Sequence, residues 1–452
     1  MADFDLELVN GRLVTSAGIH AVDVGIRGGS IAAIGAWGTL TDAEEIVDLT
    51  GRVILPGGID THVHGGDPGA FDFGQVSMAA ALGGVTTIVD MPIQIPLTTD
   101  AASFDAKLDV IGPKAHVDFA LWATLAPHGA GAIPELKERG AVGIKLVMQR
   151  SVEGVMPLHG DGEILEALEQ LQVAGLPAAI HAESQDMIAH LEERLKREGR
   201  EDPRAFLDSH PPITELEAIH RVLFFGRRTG ARIHVAHCSI GEGVDMVDEA
   251  RRSGQAVTVE TCPHYLTLDS SIFDERGVFA KLSPALRDRS EVEALWQRLR
   301  EGKIDNLASD HVPYPLAFKE AGIWEAAAGS PGIQTMFPLI LREGVKKGRI
   351  TLPQLVRVMS EGPARVAGLY PKKGSATIGA DADFAIFDLD RERTVTVEEQ
   401  VGVEWTLYEG MQAVQPEQVL VRGRSVVFDG EVIGKPGEGQ FCVPVAGSAA
   451  DS

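Results

Sequence analysis

The segment Gly57-Gly-Ile-Asp-Thr-His62-Val-His64-Gly65 places two histidines two residues apart at the end of a predicted strand. On a strand, residues i and i+2 face the same side, so both imidazoles can reach one metal ion. A His-x-His pair is by itself a weak signal. Here it follows a Pro-Gly-Gly turn and opens a series of strand and helix segments, which strengthens the metal-binding interpretation.

Four more residues with metal-binding side chains stand at the ends of short apolar runs. Together with His62 and His64 they provide four imidazoles, one carboxylate and one amine, which suits a hydrolytic centre with two metal ions. The four runs are Ala141-Val-Gly-Ile-Lys145, Pro177-Ala-Ala-Ile-His181, Arg232-Ile-His-Val-Ala-His237 and Ile304-Asp-Asn-Leu-Ala-Ser-Asp310.

The middle of the chain, residues 55–370, alternates apolar strands with amphipathic helical segments such as 162–171 and 215–223. Such repetition predicts an α/β fold, a (β/α)8 TIM-like barrel whose chemistry lies at the carboxyl ends of the strands. All six candidate residues occupy those ends. The eight predicted strands are 53–56, 85–89, 117–121, 142–145, 178–181, 233–237, 257–260 and 306–309.

Both ends of the chain differ from the middle, since their sequences predict short strands and turns. Residues 1–54 include Asn10-Gly11 between two apolar alternations, which predicts a hairpin. Similar strands return in 371–445, at 383–388 and 419–427. The two ends therefore predict one small β-sandwich, followed by a flexible tail at 446–452.

Composition excludes several classes of function. The 452 residues carry a net charge of −24, which argues against a nucleic-acid partner because phosphate binding needs basic clusters. Three cysteines in so long a chain indicate a reducing compartment rather than a disulfide framework. The chain shows neither a signal peptide nor an apolar run of about 18 residues, so a cytoplasmic location without a membrane span is expected.

Lys145 is the least ordinary member of the candidate centre. A lysine at a strand end commonly extends its ammonium group into solvent. Beside two dications a positive charge is repelled, and burial favours the neutral amine. A neutral amine can react with carbon dioxide, and the resulting N6-carboxylysine can bridge two ions through its two oxygens.

The other candidates each have a structural alternative. His181 or His237 alone could be a core histidine bonded to backbone, and Asp310 could cap the next helix. Together they fit a second ion, with Asp310 as a ligand that carries a proton to the leaving group. His234 alternates to the other face of its strand and is a poorer candidate, whereas Glu183 could orient a histidine ligand.

The chain resembles the amidohydrolase superfamily, and within it the cyclic-amide hydrolases: hydantoinases, allantoinases, dihydropyrimidinases and dihydroorotases. The resemblance covers nearly the whole chain. Beyond the six positions it rests on Ala81-Leu-Gly-Gly-Val-Thr-Thr-Ile-Val-Asp-Met-Pro92, Glu260-Thr-Cys-Pro-His-Tyr-Leu266, Lys281-Leu-Ser-Pro-Ala-Leu-Arg-Asp288, Ser309-Asp-His311 and Lys373-Gly-Ser-Ala-Thr-Ile-Gly-Ala-Asp-Ala-Asp383.

The resemblance implies an enzyme with two divalent metal ions, usually zinc. His62 and His64 are implied on one ion, His181 and His237 on the other, with carboxylated Lys145 bridging. Asp310 is implied as ligand and proton shuttle. A small cyclic ureide or amide as substrate and a homo-oligomer, tetramer or dimer, are expected.

Two positions narrow the substrate. Dihydroorotases carry an arginine two residues after the second histidine, where this chain has Gly66. A substrate ring that bears a carboxylate would therefore lack the guanidinium group that pairs with it. Dihydropyrimidinases and D-hydantoinases place a tyrosine where this chain has Arg150. Hydantoin-like and allantoin-like five-membered rings remain, and hydantoin-like rings are favoured by Met91-Pro-Ile-Gln-Ile-Pro-Leu-Thr-Thr99 and Tyr370-Pro-Lys-Lys-Gly374.

Ser283 and the segment Ser330-Pro-Gly-Ile333, in particular Pro331 and Gly332, match positions where these families present groups to the ring of the substrate.

Two alternative functions of another class stay open. One is a non-catalytic relative that keeps the barrel as a scaffold, although a scaffold has no need of four aligned histidines. The other is a one-metal deaminase, which needs no bridging lysine.

Overall fold

The computed structural model describes residues 2–65, 72–94, 96–126, 129–150 and 156–445. The predicted tail at 446–452 and Gly66 lie outside the described residues. In the described part of the chain, no helix combines the length and the apolar character that crossing a membrane requires.

The N-terminal segment forms six strands, but the hairpin predicted at Asn10-Gly11 is wrong. Strands β1 and β2 each pair with β3 instead of with one another. The ten-residue β3 is long enough to pair with β2 through one half and with β1 through the other, so it separates the two. The strands are β1 (Phe4–Val9), β2 (Arg12–Thr15), β3 (Gly18–Arg27), β4 (Ser30–Ala36), β5 (Ala43–Asp48) and β6 (Val53–Pro56).

Eight parallel strands form the barrel, as predicted. Five of them pair in sequence order, and so do the other three. Bridges between Ala123 and Ile144 and between Val63 and His311 join the two groups into a closed ring. The strands are β7 (Gly58–Val63), β8 (Val85–Asp90), β9 (Asp118–Leu121), β10 (Ile144–Val147), β11 (Ala178–His181), β12 (Ile233–Val235), β13 (Val257–Thr261) and β14 (Asn306–Leu307).

The predicted first barrel strand, 53–56, is wrong. That segment is β6, which pairs with β2 of the N-terminal sheet, and the barrel begins one segment later with the fully buried β7. Strand β6 (Val-Ile-Leu-Pro) is an apolar run, whereas β7 (Gly-Ile-Asp-Thr-His-Val) is equally buried but carries three polar residues, and only Gly57 separates the two. Hydrophobic pattern alone therefore favours the wrong segment as the first barrel strand.

Helices follow the barrel strands and cover the barrel, including those predicted around 162–171 and 215–223. The α-helices are α1 (Phe73–Leu82), α2 (Ala101–Ile111), α3 (Ile133–Glu138), α4 (Asp161–Ala174), α5 (Gln185–Arg197), α6 (Arg204–Ser209), α7 (Pro212–Thr229), α8 (Gly241–Arg252), α9 (Pro263–Thr267), α10 (Phe273–Arg276), α11 (Arg289–Arg300), α12 (Ile333–Ile340), α13 (Leu352–Val356) and α14 (Gly362–Val366). Leu341–Lys346 and Arg357–Glu361 are π-helical, and short 3-10 turns span Gly112–Lys114, Ala130–Ala132, Ser270–Ile272, Gly277–Ala280, Leu316–Phe318 and Val397–Glu399.

The C-terminal strands complete the β-rich domain begun by the N-terminus. They are β15 (Phe384–Thr394), β16 (Gln412–Val421), β17 (Arg424–Phe428) and β18 (Glu431–Val432). Strand β15 pairs with β6 through Phe384 and Phe387, which joins both ends of the chain in one sheet. A separate apolar core, with Leu8, Ile26 and Phe384 among its members, fills this domain.

A buried ion-pair cluster ties the β-rich domain to the barrel. The ammonium group of Lys373 lies 2.7 Å from Asp383 and 2.9 Å from Asp381, and it also contacts Asp118 of β9. Arg422 pairs with Asp118 as well. Burial disfavours the charged ammonium, but the charges of Asp383 and Asp381 outweigh it and raise the pKa of Lys373. Two cations, Lys373 and Arg422, therefore link the β-rich domain to Asp118 of the barrel.

We expect Lys373→Met to lower the free energy of unfolding by about 3–5 kcal/mol, because it leaves buried carboxylates without their cation. Urea unfolding measures the change. Lys372→Met is the matched control, since Lys372 pairs with Asp381 from a side chain that is 51% exposed. Equal destabilisation by the two variants would contradict the role assigned to the buried cluster.

Candidate metal centre

All six predicted metal-binding residues line one cavity of about 440 Å³ at the carboxyl ends of the barrel strands. Parallel strands in a closed ring bring these ends together although the residues are far apart in sequence. The contributors are His62 of β7, His64 just after it, Lys145 of β10, His181 at the end of β11, His237 after β12 and Asp310 after β14.

Three of these groups converge on one point. Nε2 of His62 and Nε2 of His64 each lie 3.3 Å from Oδ1 of Asp310. Nζ of Lys145 lies 3.4 Å from Nε2 of His62. Two imidazole nitrogens and a carboxylate oxygen at this spacing fit a divalent ion that all three can bind.

The second pair of histidines lies beside the first. The ring centroids of His181 and His237 are 4.6 Å apart, and those of His62 and His237 are 5.1 Å apart. Nδ1 of His237 is buried, and none of the described residues provides it with a hydrogen-bond partner. A buried nitrogen without a partner is costly unless a ligand satisfies it. This pair therefore fits a second ion.

The backbone at two of the ligands is unusual. His237 has φ of 37° and Asp310 has φ of 47°. Left-handed backbone at a residue other than glycine costs about 1–3 kcal/mol and concentrates at functional sites. The fold accepts this cost at two strand ends that face the same cavity, which supports a functional role for both residues.

Burial sets the protonation of the nitrogen ligands. It lowers the pKa of His62 to about 4, with the nearby charge of Lys145 adding to the effect. Burial likewise lowers the pKa of Lys145 to about 8, although Asp310 and Glu260 oppose the shift. His62 is therefore neutral at pH 7, and a fraction of Lys145 is the free amine that can react with carbon dioxide. Burial also favours protonation of Asp310, but its electrostatic interaction with His62 and its hydrogen bond from His64 lower its pKa well below the usual range.

Glu260, on β13, is the functional residue that the sequence reasoning did not single out for a role. Its Oε1 lies 2.8 Å from Nδ1 of His62, and its Oε2 accepts hydrogen bonds from Thr61 at 2.8 Å and Asn306 at 3.1 Å. A carboxylate only accepts, so Nδ1 of His62 carries the proton and Nε2 keeps the lone pair for a metal. The signal in the sequence was a glutamate that ends the apolar run Val257-Thr-Val.

Glu183 holds His181 in the same way, as the sequence suggested. Its Oε2 lies 2.9 Å from Nε2 of His181 and accepts a hydrogen bond from Oγ of Ser283 at 2.7 Å. Burial raises the pKa of Glu183, but His181 and His210 outweigh it and lower the value to about 2. Glu183 is thus ionised, and His181 would bind an ion through Nδ1.

His234, on β12, supports the metal centre indirectly, through its contact with Glu260. Its Nε2 lies 3.4 Å from Oε2 of Glu260, and its Nδ1 lies 2.9 Å from Oγ1 of Thr258. Both ring nitrogens therefore have protein partners, which agrees with its low rank as a metal ligand. A hydrogen-bonded chain runs from Thr258 through His234 and Glu260 to His62.

The predicted substrate contacts are only partly brought together. Ser283 and Arg150 line the cavity. Among the described residues, the wall includes Gly329 but neither Pro331 nor Gly332. The amide of Gly332 instead donates to Nδ1 of His311 at 3.0 Å, which holds this segment behind the wall.

Comparison with known proteins agrees with this geometry. A model of the amidohydrolase family matches residues 53–426. The L-hydantoinase of Paenarthrobacter aurescens is 36% identical over 449 residues, which cover 97% of this chain and 98% of that protein. An allantoinase of Escherichia coli is 37% identical over 403 residues, which cover 87% of this chain and 88% of that one.

Solved structures give the same result. The L-hydantoinase (dihydropyrimidinase) from Arthrobacter aurescens superposes with a TM-score of 0.95 at 36% identity, covering 97% of this chain and 100% of that one. The dihydropyrimidinase from Brevibacillus agri NCHU1002 gives a TM-score of 0.91 at 30% identity, covering 96% and 98%. The chain belongs to the amidohydrolase family.

Proposed function

We propose that this protein is a metal-dependent hydrolase that opens the cyclic amide bond of a five-membered, hydantoin-like ureide ring. The product is an open-chain N-carbamoyl or ureido acid. The observation that carries the proposal is the convergence of His62, His64, His237 and Asp310, with Lys145 beside them, in one cavity. Similarity to a hydantoinase and to allantoinases supports the same reaction class.

The proposed cofactors are two divalent ions, with zinc as the proposed metal. His62 and His64 would hold one ion and His181 and His237 the other, with carboxylated Lys145 between them. Such ions polarise a carbonyl and make water a stronger nucleophile at neutral pH. The nitrogen-rich donor set suits zinc better than magnesium or calcium, which prefer oxygen ligands.

The residues around this centre hold and move protons. Water adds to the ring carbonyl carbon, the ring C–N bond breaks, and the departing nitrogen must take up a proton. Asp310 is ionised and faces the cavity, so it can accept the proton of the attacking water and pass it to that nitrogen. Glu260 and Glu183 keep the histidines in the tautomers that present a lone pair.

A second ring remains a candidate because of the polar side of the cavity. Gln149, Arg150 and Gln185 line it there and offer hydrogen bonds to a polar ring substituent such as the ureido group of allantoin. Ile93, Phe206 and Trp324 line it elsewhere and suit an apolar substituent. We favour hydantoin-like rings, with allantoin as the alternative, and rank dihydropyrimidine and dihydroorotate below both. A homo-oligomeric assembly and a cytoplasmic location stay predictions.

The proposal is tested with a hydrolysis panel of hydantoin, a 5-aryl hydantoin, allantoin, dihydrouracil and dihydroorotate. We expect the five-membered, uncharged rings to give the highest kcat/KM. A desolvated carboxylate without a paired cation costs several kcal/mol, and Gly66 supplies no cation. Dihydroorotate as the best substrate would overturn the argument from Gly66 and assign its carboxylate to another cation, Arg150.

Asp310→Asn is expected to lower kcat by roughly 10²–10⁴-fold, the usual contribution of a positioned acid–base group. The amide can still offer an oxygen to an ion, but it cannot take a proton near neutral pH. Steady-state kinetics together with metal analysis separates loss of proton transfer from loss of metal. Asp186→Asn, at an exposed carboxylate on α5, is the matched control. A fall in kcat of less than about tenfold with the metals retained would assign the proton to another group.

A further inference from the structure

A second cleft of about 260 Å³ lies at the end of the barrel opposite the metal centre. Its residues stand before barrel strands, at the ends that point away from the metal centre: Arg232 precedes β12, and Ala256 precedes β13. Asp305 precedes β14 in the same way. The cleft therefore belongs to the amino-terminal face of the barrel and does not share its walls with the catalytic cavity.

Four guanidinium groups line this cleft, against two carboxylates. The arginines are Arg232, Arg251, Arg357 and Arg365, and the acids are Asp305 and Glu361. Such an excess of positive groups in one concavity is unexpected in a chain whose net charge is −24.

Both carboxylates are already bound. Asp305 lies 2.6 Å from Arg251 and accepts a hydrogen bond from the amide of Val259 at 2.7 Å. Glu361 lies 2.9 Å from Arg365 and also accepts from Ser16. Each of the two carboxylates is thus paired with one arginine, and the other two arginines of the cleft are not part of these ion pairs.

The remaining arginines, Arg232 and Arg357, have no ion pair among the described residues. Arg357 donates to the carbonyls of Gly302 at 3.1 Å and Ile304 at 3.3 Å. Arg232 makes one long hydrogen bond, 3.5 Å, to the carbonyl of Gly175. Arg232 is also partly buried, and this burial lowers its pKa. A desolvated guanidinium without a carboxylate is costly unless an anion pairs with it.

Part of the cleft wall is apolar. Pro177, Ile233, Val257 and Val366 line it beside the polar Gln255 and Thr258. A bare inorganic ion leaves this surface uncovered, whereas a small organic anion can place its oxygens on the guanidinium groups and its hydrocarbon part on the wall.

We propose that this cleft binds a small organic anion, with an oxyanion group held by Arg232 and Arg357 and an apolar body against Ile233 and Val257. A carboxylate and a phosphate monoester share this chemistry. The site is separate from the metal centre, so the proposal does not depend on which ring the enzyme opens.

Calorimetric titration of the metal-loaded protein with phenyl phosphate and, separately, phenylacetate tests the proposal. We expect at least one probe to bind in the millimolar range or tighter, and the probe that binds identifies the oxyanion. Arg232→Gln should weaken binding at least about tenfold, the loss expected for a hydrogen bond to a charged group. Arg252→Gln, at a neighbouring arginine that is 73% exposed, should leave it unchanged.

A second pair of variants keeps the test decisive if Arg232→Gln fails to fold. Ala256 is exposed and lines the cleft, so Ala256→Glu places a like charge beside the anion, whereas Ala256→Gln adds the same bulk without charge. Of these two Ala256 variants, we expect only Ala256→Glu to bind the probe more weakly than the unmodified protein. Absence of binding by both probes would overturn the proposal. So would binding that Arg232→Gln and Ala256→Glu leave unchanged, since the probe would then sit at the metal centre.

Discussion

The metal centre depends on the burial of its nitrogen ligands away from water. Four imidazoles and an amine within a few ångströms would repel one another and any cation if they were protonated. Burial at the carboxyl end of a closed barrel lowers the pKa of His62 to about 4 and that of Lys145 to about 8. Desolvation therefore favours the uncharged forms of His62, His237 and Lys145, whose lone pairs can bind metal.

Two buried carboxylates give those lone pairs their direction. Glu260 fixes the tautomer of His62, and Glu183 fixes that of His181, each through a bond shorter than 3 Å. Their negative charge stabilises the histidines that are hydrogen-bonded to them, and the charge of Glu260 also acts on Lys145. The same reasoning applies to His234, whose two ring nitrogens face Glu260 and Thr258 and therefore offer no lone pair to the cavity.

The sequence was sufficient for the barrel and the β-rich domain, because strand periodicity is a local property, and the six residues that it singled out by their chemistry line one cavity. It failed where partners had to be chosen among neighbouring segments. Strand β6 is an apolar run and β7 carries Asp60, Thr61 and His62, yet it is β7 that belongs to the barrel. Asn10-Gly11 makes a turn, with φ of 61° at Asn10, but the strands on either side pair with β3.

The role of Glu260 was hidden for a related reason. It lies 198 residues from His62 in sequence, and only barrel closure brings the two together. A buried glutamate in an apolar strand indicates that some cation or donor must face it, but the pattern does not say which one. Pro331 and Gly332 stay predicted substrate contacts: the amide of Gly332 donates to Nδ1 of His311, and neither residue is among the described residues that line the cavity.

The central claim is that Lys145 joins two metal ions in one centre, and metal content tests it most directly. Elemental analysis of the purified protein should give close to two divalent ions per chain. Lys145→Ala should lose one or both ions, whereas Lys137→Ala, at an exposed lysine on α3, should keep them. Two ions retained in Lys145→Ala, or none in the unmodified protein under metal-replete conditions, would contradict the account.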